Sequence, residues 1–97
     1  MPKIADRMNR LGMLRASYHT RVASLRTAAR LQQVIDLLFA QPVLTVRQVE
    51  MALGIRFVSA QRLVAALLQA GLLREITGGR RNRIYRADEI QKILESA

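Results

Sequence analysis

The sequence predicts a mostly α-helical domain with a small β-wing, a winged helix-turn-helix preceded by an N-terminal helical segment. Three observations predict it. Apolar residues recur at helical spacing from about Lys3 to Phe39 without an internal proline. Two short helical patterns then meet at Gly54, and after Gly71 the period changes to alternation and runs into Gly78-Gly79-Arg80-Arg81-Asn82-Arg83. Residues 1–37 are expected to form a basic helical extension and residues 38–97 the winged domain.

In the first part, Leu11, Leu14, Tyr18, Val22 and Leu25 follow a three-and-four rhythm that Leu31, Val34, Ile35, Leu38 and Phe39 continue. A break is expected between Ser17 and Thr20, where either hydroxyl suits a helix cap. Pro42 closes this region, and Val43-Leu44 reads as a short strand. Thr45 with Gln48 three residues on is the reciprocal capping box, and Gly54 supplies the left-handed residue that ends the helix it starts.

The next helix is expected from about Phe57 to Ala70, ended by Gly71. Ile55, Ala60 and Leu63 stand one, six and nine positions after Gly54, where helix-turn-helix packing needs apolar side chains, and the small Ala60 lets the two helices cross closely. Arg56, Phe57, Val58, Gln61, Arg62 and Ala65 are left facing outward. After Gly71, Leu73, Glu75 and Thr77 alternate with Leu72, Arg74 and Ile76. Gly78-Gly79 is expected to make a tight turn, with Arg83 to Arg86 as the returning strand. Asp88 and Gln91 suggest a second capping box, opening a short helix that packs through Ile90, Ile93 and Leu94.

Composition narrows the function. The net charge is +9, from 16 Lys and Arg against 7 acids, and only Lys3 and Lys92 are lysines. Arginine's planar fork binds phosphate bidentately and pairs with guanine edges, so a polyanionic partner is expected, although codon usage that favours arginine gives the same bias without function. From Lys3 to Arg30 the basic residues face a single acid, Asp6. Four aromatic residues, Tyr18, Phe39, Phe57 and Tyr85, are too few for a surface that stacks unpaired bases. With no cysteine, disulfides and thiolate metal sites are excluded, and His19 alone builds no metal site. No metal or cofactor is expected. No apolar run reaches the roughly 18 residues of a membrane span, so the chain is expected to be soluble and cytoplasmic, with no membrane partner.

The segment from Leu38 to Leu94 resembles the C-terminal winged-helix domain that follows the catalytic core in many Fic-family proteins. The residues that carry the likeness are Leu38-Phe39 before Pro42, Leu53-Gly54-Ile55, Ser59-Ala60 with Arg62, Leu67 before Ala70-Gly71-Leu72-Leu73, and Thr77-Gly78-Gly79-Arg80-Arg81-Asn82-Arg83-Ile84-Tyr85. The family's catalytic loop, His-x-Phe-x-Asp/Glu-Gly-Asn-Gly-Arg, has no counterpart here. The resemblance therefore implies the appended domain without the enzyme, and possible service to a partner catalytic domain. Two residues depart from the wider helix-turn-helix pattern. Glu50 stands where a small residue is usual, and Arg56 where a capping Ser or Thr is common.

Two functional readings follow. In the first the chain binds double-stranded DNA: Arg56, Gln61 and Arg62 address base edges or phosphates, Ser59 adds a phosphate contact, and Arg80, Arg81 and Arg83 anchor the wing. In the second it is an interaction or dimerisation module that regulates a partner enzyme, anchored by the adjacent apolar Phe57 and Val58; burial of Phe57 against the N-terminal helices is the competing fate. A homodimer through the N-terminal helices would imply palindromic DNA sites. Catalysis is not expected, because no paired carboxylates or nucleophile-base spacing occur.

Overall fold

The computed structural model describes residues 2–95, with side chains from Ala5 onward, so the side chain of Lys3 lies outside those described. The elements follow the order α1 (Pro2–Val22), α2 (Ala28–Ala40), β1 (Val43–Leu44), α3 (Val46–Leu53), α4 (Phe57–Gln69), β2 (Arg74–Glu75), β3 (Tyr85–Arg86) and α5 (Asp88–Glu95). The fold is mostly helical with a three-stranded antiparallel sheet in the order β1-β3-β2.

The first helix is not broken where the sequence suggested. Thr20 does not cap; its hydroxyl donates back to the Ala16 carbonyl at 2.9 Å inside α1. The chain turns instead at 23–27, where no side chain between Val22 and Leu31 is buried to hold a helix against the core. Leu25, expected on the apolar stripe, falls in this corner and is 41% exposed. The next helix starts at Thr27, which makes no side-chain cap.

α1 and α2 pack through Tyr18 and Phe39, whose rings meet edge-on at 5.8 Å. Burial pushes the Tyr18 hydroxyl up to about 12. Across the same seam, Asp36 accepts Arg15 Nε at 2.8 Å and lies 3.2 Å from His19 Nε2. The hydrogen bond from Arg15 holds that carboxyl below its ordinary range, with His19 adding to it. The expected boundary at 37/38 falls inside α2, and one hydrophobic cluster from Tyr18 to Ile90 lies on both sides of it.

The helix-turn-helix forms as the sequence implies. Thr45 Oγ1 accepts the Gln48 amide at 3.2 Å while Gln48 Oε1 accepts the Thr45 amide at 2.9 Å. Gly54 sits at φ +64°, and the chain bends by 116° between α3 and α4, within the range of helix-turn-helix crossings. Ala60 is fully buried and Leu63 nearly so. At the far end, Leu72 N–H bonds the Leu67 carbonyl and Gly71 N–H that of Leu68, a Schellman closure with Gly71 at φ +78° and Leu67 and Leu72 both buried.

The hairpin differs from expectation in shape. Pairing runs Arg74↔Arg86 and Glu75↔Tyr85 and extends by one bond from Ile76 N–H to Ile84 O, so Arg83 and Ile84 stay outside β3. The connection is a wide loop rather than a tight Gly-Gly turn, with positive φ at Gly78 and Asn82. Side chains supply the bonds that a ladder would have made. Glu75 accepts from the Thr77 hydroxyl at 2.6 Å and the Gly78 amide at 2.9 Å, and Thr77 accepts the Ile84 amide. Alternation also starts late, since Leu72 and Leu73 are both buried.

The second capping box does not form. Arg74 and Arg86 each donate to the Asp88 carboxylate at 2.7 Å, and Gln91 turns to Glu95 instead. Asp88 thereby ties both wing strands to α5. Ile90 and Ile93 are buried as expected, whereas Leu94 is 37% exposed.

Candidate nucleic-acid interface

α4 turns one side to the core and an adjacent side to the wing. Its hundred-degree step per residue puts Ala60, Leu63 and Leu67 inward and brings Phe57, Gln61, Val64 and Leu68 onto a second face. That second face is one wall of a cleft of about 740 Å³. The start of α3 supplies another wall through Thr45, Val46 and Arg47, and the wing closes it with Arg80, Asn82, Arg83 and Tyr85. Val64 and Tyr85 are buried and make the floor, and Phe57, 41% exposed, stands at the rim.

The cleft is positive by construction. Three of its lining residues are arginines and none is an acid. Four of the acids pair with arginines outside it: Asp36 holds Arg15, Asp88 holds Arg74 and Arg86, Asp6 is 4.0 Å from Arg10, and Glu89 is 3.9 Å from Arg21. Glu75 is taken up by the wing's own backbone and hydroxyl bonds. Among the described residues, no ion pair reaches Arg47, Arg56, Arg62, Arg80, Arg81 or Arg83. Their fields therefore add without a partner to cancel them.

Of the residues singled out from sequence, Gln61, Arg80 and Arg83 come together in the cleft with Phe57. Arg83 also has an internal task, because its Nε donates to the Gly79 carbonyl at 2.8 Å. Arg81 on the wing loop and Val58 on α4, 56% exposed, are both on the surface and do not line the cleft. Ser59 and Arg62 are exposed on turns of α4 that face away from the wing, so they do not converge with its arginines. Phe57 is 41% exposed and lines the cleft, so it is not buried against the N-terminal helices.

Arg56 occupies the helix cap of α4 in an extended conformation and makes no side-chain cap bond. The first amides of α4 thus keep their donor capacity for solvent or an anion. Glu50, the other departure, is half-buried on α3 and its Oε1 is buried without a hydrogen-bond partner, yet α3 and α4 still cross over Ala60.

Arg47 and Asn82 are among the cleft residues that the sequence reading missed. Arg47 lies two positions after the capping Thr45, a spacing that places it on the first turn of α3 but says nothing of what faces that turn. Asn82 adopts φ +52°, a conformation that Asn tolerates better than most residues, and this is the one signal that could have marked it. Among the described residues no group of metal-ligating side chains gathers, and no single helix is long and apolar enough to cross a membrane. No protein-family model and no curated protein matches the chain.

Proposed function

We propose that this chain is a DNA-binding winged-helix module that acts by targeting or transcription regulation rather than by catalysis, in a cytoplasmic setting. The observation that carries the proposal is the gathering of unmatched arginines around one cleft. Arg10, Arg15 and Arg21 of α1 and Arg74 and Arg86 of the wing strands have acid partners, whereas Arg47, Arg80 and Arg83 line an acid-free cleft with no ion pair among the described residues; outside it, Arg56 and Arg62 of α4 and Arg81 of the wing loop have none either. A polyanion is the complement of such a face. Double-stranded rather than unpaired nucleic acid is favoured, because Phe57 is the one exposed ring near it.

In this reading Arg80 and Arg81 on the wing meet phosphates, with Arg83 holding the loop that presents them. Arg56, Gln61 and Arg62 approach the duplex from α4, Arg62 from the side away from the wing, and Ser59 adds a backbone contact. The resemblance to Fic-associated winged helices rests on the motifs quoted above, and with it the proposal that a partner catalytic domain exists. A homodimer through α1 and α2 would double the contacted sites. Electrophoretic mobility shifts on random and selected duplexes test the proposal. Replacing Arg80 and Arg81 with Ala weakens binding about equally on all sequences, whereas Arg62→Ala costs more on a preferred site. Binding unaltered by all three changes would remove this face from consideration.

A second reading, a protein-interaction module for a partner enzyme, is favoured by Val58 and Phe57, which stand 56% and 41% exposed side by side at the start of α4. Loss of self-association or partner capture on changing them, with duplex affinity unaltered, would support it.

A further inference from the structure

The cleft between α4 and the wing has two unlike surfaces, and a phosphate backbone satisfies only one. Arg47, Arg80 and Arg83 offer donors around its edge, and no acid lines it. Phe57, Val64 and Leu68 make an apolar strip along α4, over about three turns or roughly 16 Å of helix. A phosphodiester has no apolar body to lay on that strip.

We propose that the cleft binds a small organic anion, a flat or short apolar body carrying one carboxylate. Its volume of about 740 Å³ falls within the roughly 300–1,000 Å³ typical of small-ligand sites. A protein partner would need about 800 Å² on its own side, far beyond one strip of three helical turns. The charge fixes the sign of the ligand: the apolar body lies against Phe57 and Leu68, and the carboxylate takes the guanidinium donors of Arg47 and Arg80. Arg83 contributes through its Nη groups, its Nε being held by Gly79. Such a ligand occupies space that a duplex contacting Gln61 and Arg80 would need, so it competes with DNA. The site itself does not depend on the DNA reading.

The test uses 2-naphthoate and its neutral isostere 2-naphthamide, titrated into the full chain and followed by NMR shifts. Saturable shifts centred on Val46, Val64 and Leu68 are expected, with the acid binding about tenfold more tightly than the amide. The double change Arg47→Ala with Arg80→Ala, both exposed, brings the acid to the affinity of the amide, while Arg26→Ala at the α1–α2 corner leaves it unchanged. Equal binding of acid and amide, shifts scattered over the surface, or no saturation would overturn the proposal. Because duplex binding is measured separately, saturable naphthoate binding by a chain that ignores DNA would sink the DNA reading alone, and the reverse result would sink this one alone.

Discussion

The Nε of Arg83 donates to the carbonyl oxygen of Gly79 at 2.8 Å, so the residue that ends the wing loop grips its beginning. Three residues of loop, Arg80, Arg81 and Asn82, are enclosed by that bond, and the two arginines among them are exposed. One arginine of the cluster therefore shapes the surface on which the other two are displayed.

Arg83→Ala is expected to loosen the loop as well as remove a charge. Amide exchange between Gly79 and Ile84 rises, and DNA affinity falls by more than for Arg80→Ala or Arg81→Ala, each of which lowers the salt slope by about one unit. Equal losses for all three arginines with unaltered exchange would show that the Gly79 bond does not organise the wing.

Phe57 and Ala60 stand one turn apart on α4, one exposed and one buried, and make opposite predictions. Phe57→Ser, at a ring 41% exposed, is expected to change stability by about 1 kcal/mol or less. Ala60→Leu, where the side chain is fully buried at the helix crossing, costs about 1–3 kcal/mol by overpacking. Urea unfolding of both variants checks this. A loss of 3 kcal/mol or more for Phe57→Ser would mean that the ring is buried.

How legible was this arrangement in the sequence? The local devices were plain: the Thr45–Gln48 box, the left-handed Gly54 and Gly71, and the small Ala60 are each read from one or two residues, because local hydrogen bonds or sterics decide them. The α1–α2 corner was misplaced because Thr20 can serve either as a cap or as a back-bonded helical residue, and only packing chooses between these. Asp88 looked like a cap for the same reason, and Arg74, 14 residues back, together with Arg86, two residues back, took its carboxylate. For the candidate site, the exposed face of α4 and the wing arginines were visible. Their sorting was not. Which arginines keep an acid partner depends on contacts such as Arg15–Asp36, 21 residues apart, that no local pattern encodes.

The Asp88 clamp predicts a pH dependence. Its carboxyl is lowered to about 2, first by the hydrogen bond from Arg74 and then by that from Arg86. A folded-state value below the ordinary carboxylate value near 3.9 means that the contribution is present above about pH 4 and is lost as pH falls toward 2. Because the Asp88 side chain is 39% exposed, the effect is about 1 kcal/mol or less. Asp88→Asn should flatten the acid limb of stability measured by chemical unfolding between pH 5 and pH 2. An unchanged limb would show that the clamp does not contribute.

The central claim, that the unpaired arginines of α4, α3 and the wing bind duplex DNA, is tested most directly by affinity for a mixed-sequence duplex as a function of salt. With about 0.9 unit of log-log slope per phosphate, roughly four to six contacts give a slope near −4 to −5. A slope in that range, reduced when Arg80 and Arg81 are replaced, is the predicted result. No detectable binding at about 50 mM salt, or an affinity that does not change with salt, would contradict it.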